Sequence, residues 1–242
     1  MVVRASTVDW GAYRAVLLDL DGVITPTASV HEVAWAELFA PWDFTSADYL
    51  THVDGKPRYD GVRSFLAARG VELPEGSPDD PPGDGTVAAM GNRKDELFRQ
   101  LLERDGVAPY PGTLAVLDEL DRLGVAQAVV SSSRNARPVL EAAGLGGRFQ
   151  HVVDGVTIVE ERIAGKPAPD MFLRAAQLLD ATPAESVVVE DASSGVAAGA
   201  AGGFALVLGI DRGANRDALL ASGAHLVVDD LGETLGREPA QP

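Results

Sequence analysis

The feature that most constrains the fold is an alternation of short apolar runs with helical stretches along the second half of the chain. The runs are rich in β-branched residues and apolar at every position, which is typical of strands buried on both faces of a parallel sheet. Right-handed crossovers between such strands produce a doubly wound α/β fold of Rossmannoid type. The predicted strands are Ala15–Leu18, Val125–Val130, Val187–Val189, Ala205–Leu208 and Leu226–Val228. The predicted helices between and after them are Thr113–Leu123, Ala136–Ala143, Pro169–Leu179 and Ala214–Ala221.

The alternation stops between the first strand and Tyr110, where helical patterns occur without a convincing strand. We therefore expect a helical cap domain at residues 28–106, inserted into a core domain formed by residues 1–27 and 107–242. The predicted cap helices are His31–Phe39, Tyr59–Arg69 and Arg93–Arg104. Within the cap, Pro74–Gly85 is a Pro/Gly/Asp loop with four acids and no base. Such a segment buries too little apolar surface to order itself, so we expect it to be mobile.

Composition excludes several classes of function. The 242 residues include 36 acidic and 20 basic side chains, and the net charge of −16 disfavours nucleic acid and anionic membranes as partners. The absence of cysteine excludes disulfides, zinc–thiolate sites, iron–sulfur clusters and thiol catalysis. The N-terminal segment lacks the basic start and apolar stretch of a secretory signal, which predicts a cytoplasmic protein. The uncharged segment Ala192–Ile210 contains five glycines and fits a serine-capped helix followed by a strand better than a membrane span.

The strongest chemical signal is the motif Asp19-Leu20-Asp21-Gly22-Val23, which directly follows the predicted strand Ala15–Leu18. Asp19 therefore lies at the carboxyl end of a strand, where open α/β sheets form their ligand crevice. Asp21 can face the same crevice only if the chain leaves the strand there, and Gly22 permits that turn. Two carboxylates at one mouth repel each other and require a cation or a shared proton, and hard oxygen ligands suit Mg²⁺.

Three alternatives compete for this motif. An EF-hand loop shares the Asp-x-Asp start, but Val23 and Val30 stand where ligands are needed and a strand precedes the motif. A helix-capping aspartate followed by a turn aspartate is a purely structural alternative. A receiver-like signalling domain, phosphorylated on its strand-end aspartate, is the third, although receivers lack a large cap.

Three further motifs follow later strands, and each has a structural alternative. Ser131-Ser132-Ser133-Arg134-Asn135 offers hydroxyl and N–H groups for an anion at a helix N-terminus, or it is a simple helix cap. Lys166, in Gly165-Lys166-Pro167, suits a counter-charge for phosphate, or it is a solvated loop lysine. Glu190-Asp191 ends a strand as Asp19 does, and supplies oxygen ligands or a cap for the next helix.

The four motifs support one interpretation, because they all follow strands of one parallel sheet and so lie at one edge of it. The carboxylates offer oxygen ligands, while Lys166 and the Ser131 region offer donors to phosphate. A phosphate dianion would be repelled by the carboxylates, at roughly 4 kcal/mol for each like-charge pair about 4 Å apart, unless Mg²⁺ and the lysine offset the repulsion. The set predicts metal-assisted phosphoryl transfer.

In this order, the four motifs resemble those of the haloacid dehalogenase superfamily, and the insertion after the first motif is similar to the cap of that superfamily. Within it, the chain is most similar to the beta-phosphoglucomutase family, over nearly all of Ala15–Asp229. The segments that carry the finer resemblance are DGVITPTASVHEVAW (Asp21–Trp35), GKPRYDGV (Gly55–Val62), GNRKDELF (Gly91–Phe98), SSSRN (Ser131–Asn135) and GKPAPD (Gly165–Asp170).

The resemblance implies a role for each matching residue. Asp19 would be the nucleophile that forms an aspartyl-phosphate, and Asp21 the general acid/base, a role typically worth 10² to 10⁴-fold in rate. Mg²⁺ would be held by Asp19, the main-chain carbonyl of Asp21, Glu190 and Asp191. Ser131 and Lys166 would bind the transferring phosphoryl group. On the cap side, Thr27, His31 and Lys94 would position the acid/base. The second, non-reacting phosphate of the substrate would be bound by Arg58, with Ser133 and Asn135, and Arg134 would be a further residue that binds substrate or phosphate.

The cap residues bear on the choice between two activities. The resemblance implies interconversion of beta-glucose 1-phosphate and glucose 6-phosphate through the 1,6-bisphosphate, and the alternative is a sugar-phosphate phosphatase with the same nucleophile. A mutase needs a site for the distal phosphate and a cap that excludes water, which Arg58, His31 and Lys94 could supply. Alternatively, Arg58 is a surface arginine, and His31 and Lys94 lie on a solvated helix face.

Two residues depart from the family pattern: Pro26 stands where an acidic residue is common, and Arg134 where lysine is common. Because the whole chain is acidic, an anionic substrate requires local compensation. We expect Arg58, Lys94, Arg134 and Lys166 to form a positive cleft that outweighs the global field at short range, since screening weakens charges beyond about 8 Å. We also expect a monomer that acts on a small-molecule sugar phosphate.

Overall fold

A six-stranded parallel sheet forms the centre of the protein in the computed structural model, which describes residues 7–213 and 215–236. The strand order is β3-β2-β1-β4-β5-β6. This sheet confirms the predicted fold class. The strands are β1 (Ala15–Leu18), β2 (Ala126–Val130), β3 (His151–Val153), β4 (Ser186–Glu190), β5 (Leu206–Ile210) and β6 (Leu226–Val228).

Helices cover both faces of the sheet. They are α5 (Pro111–Leu123), α6 (Ala136–Ala142), α7 (Gly155–Glu161), α8 (Asp170–Leu178), α9 (Ser193–Ala201) and α10 (Arg216–Ala221). Alternate side chains of a strand point to opposite faces, so Val16 and Leu18 of β1 pack in one core cluster with α5 and α6. Leu17 packs in the other cluster, with α8 and α9. The fully buried strands explain why their sequences are apolar at every position.

The insertion between β1 and α5 is helical, as predicted, and has an aromatic core of its own. Its helices are α1 (Thr27–Leu38), α2 (Ser46–Asp48), a π-helix (Tyr49–Val53), α3 (Arg58–Ala68) and α4 (Val87–Asp105). Trp35, Phe39 and Phe65 pack together in this core, with the rings of Phe39 and Phe65 stacked at 4.1 Å. The division into a core domain and a cap domain at residues 28–106 stays a prediction, and we use "cap" for those residues below.

Several element boundaries differ from the prediction. Helix α4 begins six residues earlier than expected, because the Thr86 side chain accepts a hydrogen bond from the backbone N–H of Ala89 and caps it. Helix α9 is not capped by a serine: its N-cap residue is Ala192, and Ser193 is the first helical residue. Helix α10 begins at Arg216, and Ala214, where it was predicted to begin, lies outside the described residues.

The acidic loop Pro74–Gly85 has no helix or strand, as predicted, but polar contacts hold it in place. Glu75 pairs with Arg63 of α3 at 2.8 Å. The Asn92 side chain of α4 donates hydrogen bonds to the carbonyl oxygens of Pro78 and Asp80. These contacts supply the order that the apolar content of the loop could not.

The uncharged segment Ala192–Ile210 forms α9 and β5, in agreement with the sequence analysis. Across the described part of the chain, no helix combines the length and the apolar character needed to cross a membrane.

Candidate active site

The candidate site lies at the carboxyl end of the sheet, where three acidic side chains meet. Asp19 directly follows β1, Glu190 ends β4, and Asp191 comes next; the backbone N–H of Asp19 donates to the carbonyl of Val189 at 2.9 Å. One carboxylate oxygen from each of the three residues lies within 4.8 Å of the other two. Adjacent parallel strands end side by side, so the fold brings together residues that are 171 positions apart or more. The sequence predicted this convergence.

Lys166 is buried against these carboxylates. Its ammonium group donates hydrogen bonds to Asp19 Oδ1, to Glu190 Oε1 at 2.6 Å and to the carbonyl of Val130 at 3.0 Å. Burial alone would lower the pKa of Lys166, but the charges of Asp19 and Glu190 outweigh it and raise the pKa. The alternative of a solvated loop lysine is therefore wrong.

Burial also changes the pKa of the acidic groups of the cluster. Burial raises the pKa of Asp19, Lys166 opposes that effect, and the nearby charges of Glu190 and Asp21 add to it. Burial likewise raises the pKa of Asp191, with Asp54 and Glu190 as further causes. A divalent cation would stabilise these buried carboxylates, because it would offset their excess of negative charge.

A turn at Gly22 brings Asp21 into the same crevice, as predicted. Gly22 has a φ of +85°, which favours glycine, and its N–H donates to the carbonyl of Thr25 at 2.7 Å. A Cβ atom at this position would lie 1.7 Å from Asp191 Oδ2, so the close approach also requires glycine. The Asp21 side chain is not part of the three-carboxylate cluster; a role of its main-chain carbonyl in metal binding stays a prediction.

Asp21 is held by side chains from the cap and the core. Its carboxylate accepts a hydrogen bond from Thr27 at the start of α1, and the Ser131 hydroxyl donates to Asp21 Oδ2 at 3.5 Å. His31 Nε2 lies 3.4 Å from the same oxygen. Burial opposes ionisation of Asp21, but the charge and hydrogen bond of His31 and the hydrogen bond of Thr27 lower its pKa to about 2.

Lys94 completes a chain of contacts to Asp21 through His31. The Lys94 ammonium donates to His31 Nδ1, and the imidazole stacks on Phe98 at 4.0 Å. Burial lowers the pKa of Lys94 to about 7 and, together with Lys94, lowers the pKa of His31. The two ring nitrogens of His31 thus face different partners, Nδ1 facing Lys94 and Nε2 facing Asp21. The alternative of a solvated helix face is wrong for Lys94, which is 5% exposed.

Two of the residues predicted to bind the distal phosphate, Arg58 and Asn135, contact Asp95. Arg58, the first residue of α3, lies 3.2 Å from Asp95 Oδ1, and the Asn135 amide donates to the same oxygen at 2.5 Å. The Ser133 hydroxyl accepts from the backbone N–H of Asn135 at 3.1 Å. Asn135 is the N-cap residue of α6 but makes no side-chain cap. The simple cap is therefore wrong for this asparagine.

A cavity of about 660 Å³ connects these groups between the cap and the edge of the sheet. Thr27 and Ser131 lie behind its wall, in contact with Asp21. The other predicted site residues line it: Asp19, Asp21, His31, Arg58, Lys94, Ser133, Arg134, Asn135, Lys166, Glu190 and Asp191.

The charge of the cavity corrects one prediction. Six lysines and arginines line it, but so do seven aspartates and glutamates. Lys166 is paired with Asp19 and Glu190, and Arg58 with Asp95. The expected cleft in which positive charge outweighs negative charge is therefore absent from the described residues: Lys166 is neutralised by two acids that were themselves predicted, and Arg58 by Asp95, which was not.

Three acids of the cavity wall were missed by the sequence analysis: Asp60, which pairs with Arg63, and also Asp54 and Asp95. Asp54, just after the π-helix, has its pKa raised to about 7, first by burial and then by Glu190. Asp95 follows Lys94 on α4 and resembles a surface residue paired with Arg99 one turn later. All three lie within or beside the cap segments that carried the family resemblance, which was the available signal.

The cap lies closed over the sheet edge in this structure. The Ser132 hydroxyl donates to the carbonyl of Gly55 at 2.8 Å, and the Ser194 hydroxyl donates to the carbonyl of Asp54 at 3.2 Å. Both hydroxyls belong to the core and both acceptors to the cap. These bonds, with the Asn135–Asp95 contact, close the cavity on several sides.

Comparison with known proteins agrees with this fold. A family model of haloacid dehalogenase-like hydrolases matches residues 13–203. A beta-phosphoglucomutase of Mycobacterium tuberculosis is 51% identical over 240 residues, which cover 92% of this chain and 91% of that protein. The beta-phosphoglucomutase of Bacillus subtilis is 32% identical over 201 residues, covering 81% and 83%. The solved beta-phosphoglucomutase of Clostridium difficile has the same fold, with a TM-score of 0.73 at 24% identity over 91% of this chain and 92% of that chain.

These relatives are enzymes, so the alternative of a receiver-like signalling domain is wrong. The chain belongs to the haloacid dehalogenase-like hydrolases and, among them, to the beta-phosphoglucomutase family, and it is a phosphotransferase enzyme.

Proposed function

We propose that the protein is a Mg²⁺-dependent beta-phosphoglucomutase that converts beta-glucose 1-phosphate to glucose 6-phosphate through the 1,6-bisphosphate. The observation that carries the proposal is the meeting of two aspartates with different surroundings at one strand end. Asp19 contacts Lys166 and belongs to the carboxylate cluster, whereas Asp21 contacts Thr27 and the cap residue His31. The identity of 51% to a beta-phosphoglucomutase supports the same reaction.

The donor set at the strand ends suits magnesium. Asp19, Glu190 and Asp191 present hard carboxylate oxygens within 4.8 Å of one another, and burial together with the neighbouring acids raises the pKa of Asp19 and Asp191. These residues would hold Mg²⁺, with the Asp21 carbonyl as a further ligand. When bound, Mg²⁺ would offset the repulsion between the carboxylates and the phosphoryl oxygens.

The first half of the reaction starts from the enzyme phosphorylated on Asp19. The 6-hydroxyl oxygen of beta-glucose 1-phosphate attacks this phosphorus, the bond between phosphorus and the Asp19 oxygen breaks, and Asp21 takes the hydroxyl proton. The Asp21 carboxylate is ionised at neutral pH, because its pKa is lowered to about 2, so it has a lone pair free to accept the proton. The product is the 1,6-bisphosphate with a free Asp19 carboxylate.

The second half reverses these roles after the bisphosphate has turned around. Asp19 attacks the phosphorus at the 1-position, the bond to the sugar oxygen breaks, and Asp21 returns its proton to that oxygen. Lys166 and Ser131 would bind the transferring group, which their contacts with Asp19 and Asp21 support. The proton and the phosphoryl group are conserved over the cycle, which ends with glucose 6-phosphate and phosphorylated Asp19.

The cap favours this cycle over hydrolysis of the aspartyl-phosphate. The aspartyl-phosphate must wait for a sugar hydroxyl, so water has to be kept from Asp19. The cap bonds from Ser132 and Ser194, and the coupling of Asp21 to cap residue His31, favour chemistry in the closed form. Arg58, Ser133, Arg134 and Asn135 would hold the phosphate that does not react, which fixes the sugar for attack by its other end.

The test follows both products of beta-glucose 1-phosphate by ³¹P NMR in the presence of Mg²⁺. A mutase gives glucose 6-phosphate, and a trace of beta-glucose 1,6-bisphosphate strongly stimulates the rate. The alternative phosphatase gives inorganic phosphate without isomerised sugar, and that result would overturn the proposal. Alpha-glucose 1-phosphate serves as the matched control for the anomer.

A further inference from the structure

The carboxylate of Asp95 occupies an unusual position, at the junction of two cap helices and a core loop. It is buried and lies 3.2 Å from Arg58 Nη1 of α3. It also accepts hydrogen bonds from the Asn135 amide of the core at 2.5 Å and from Arg99 of its own helix, α4. The Asp95 carboxylate is thus contacted by two guanidinium groups and one amide.

Two of these three donors are ones that the proposed function assigns to the distal phosphate. Arg58 and Asn135 cannot give the same hydrogen bonds to Asp95 and to a phosphate at once. An aspartate that stayed beside a bound phosphate would also repel it, because both groups are anionic and the site is largely buried. Substrate binding is therefore easier when Asp95 releases these donors.

The structure offers Asp95 another partner when that happens. Arg99 lies four residues further along α4 and already donates to the second Asp95 oxygen, Oδ2. The Arg99 side chain is 62% exposed, so it can follow the carboxylate toward solvent. A small rotation of Asp95 would leave it paired with Arg99 and free Arg58 and Asn135.

We propose that Asp95 is an internal competitor for the distal phosphate of the substrate, holding Arg58 and Asn135 in the empty closed site and exchanging places with that phosphate on binding. This inference rests on the proposed function and deepens it. The exchange suits a mutase, whose bisphosphate has to leave its first position and turn around. When the phosphate leaves, Asp95 pairs with Arg58 again. This competition keeps the distal phosphate from binding too tightly. Asp95 is a positioning residue, because it acts through Arg58 and Asn135 and not on the reacting atoms.

The test is the Asp95→Asn variant, which keeps the size of the side chain and removes its charge. Without the competing charge, the KM for beta-glucose 1-phosphate should fall by about threefold or more, since a charge-assisted contact to Arg58 is lost. The dissociation constant of inorganic phosphate, measured by calorimetry on the same variant, should fall in the same direction. An unchanged or higher KM would overturn the proposal, because it would mean that Asp95 supports Arg58 and does not compete for it.

Asp60→Asn is the matched control. Asp60 lines the same cavity and pairs with Arg63 at 2.5 Å, away from Arg58 and Asn135. Its loss removes the same charge from the cavity wall, yet the KM should stay within about twofold of the parent value, because exposed charges are screened. An equal fall of KM in both variants would show a general charge effect and contradict the inference.

Two further measurements sharpen the result. The first compares Arg58→Ala with the double variant Arg58→Ala/Asp95→Asn. The KM of the double variant should be little lower than that of Arg58→Ala, because the arginine for which Asp95 competes is already gone. A fall as large as the one that Asp95→Asn causes in the parent would overturn competition for Arg58. Asp95→Ala should shift the KM in the same direction as Asp95→Asn, which keeps the inference testable if one variant folds poorly. Failure of the parent enzyme to isomerise beta-glucose 1-phosphate would count against the proposed function alone, since phosphate binding to the variants still reports on Asp95.

Discussion

The replacement of Lys166 by methionine gives the sharpest test of how the site is held together. At 2.6 Å, the attraction between Lys166 and Glu190 is roughly 6 kcal/mol for an effective dielectric constant of about 20. Desolvation of the ammonium group offsets part of this. Removing one partner of a buried pair typically costs about 3–5 kcal/mol, because the remaining charges are left without compensation. We expect a loss of that size in the free energy of unfolding of Lys166→Met.

The assay is urea unfolding at pH 7 in the presence of EDTA, and then with Mg²⁺ added. Mg²⁺ should restore part of the lost stability, because a cation at the same carboxylates replaces the missing charge. The deficit should also shrink as the pH falls, since Asp19 has a raised pKa and binds a proton more readily in the folded state than in the unfolded chain.

Lys56→Met is the control for this substitution. Lys56 lines the same cavity but donates only to the Thr51 carbonyl and the Ser64 hydroxyl, so we expect a change below about 1 kcal/mol. An equally small change in Lys166→Met, or a deficit that grows as the pH falls, would refute the electrostatic reasoning.

Two other predictions follow from the geometry. Because the pKa of Lys94 is about 7, its ammonium group becomes a neutral amine above that pH and the hydrogen bond to His31 loses its charge assistance, so kcat should fall as the pH rises through 7. In Lys94→Arg this fall should move to higher pH, and a pH profile identical to that of the parent would contradict the role of Lys94. Gly22→Ala should lower the free energy of unfolding by more than the roughly 1–2 kcal/mol of a left-handed residue, since its Cβ would meet Asp191 at 1.7 Å. Thermal unfolding and the Mg²⁺ dependence of activity measure this effect, and a variant with parental Mg²⁺ dependence would contradict it.

The central part of the fold could be predicted from the sequence because its signals are local. Strands such as Val187–Val189 are apolar at every position, which only a sheet covered on both faces explains. The convergence of Asp19 with Glu190 then follows from the parallel order of their strands. Strand β3 escaped prediction because it has three residues and begins with His151, so it carries almost no apolar pattern.

The rest of the site depends on contacts between distant residues. Asp95 is one acidic residue on a polar helix, and its position is determined by Arg58 and Asn135, which lie 37 and 40 positions away. The same holds for the charge of the cavity, where Arg58 and Lys166 each pair with an acid from another element. Sequence patterns indicate which face of a helix is buried, but not which buried charges become partners.

The account depends most on Asp19 as the residue that carries the phosphoryl group. The direct measurement is to mix the enzyme with beta-glucose 1,6-bisphosphate and Mg²⁺, quench in acid within one turnover, and locate the phosphoryl group by peptide mass spectrometry. The account predicts a phosphorylated peptide with the modification on Asp19, and its loss in Asp19→Asn together with the loss of turnover. A phosphoryl group on any other residue, or full turnover by Asp19→Asn, would contradict it.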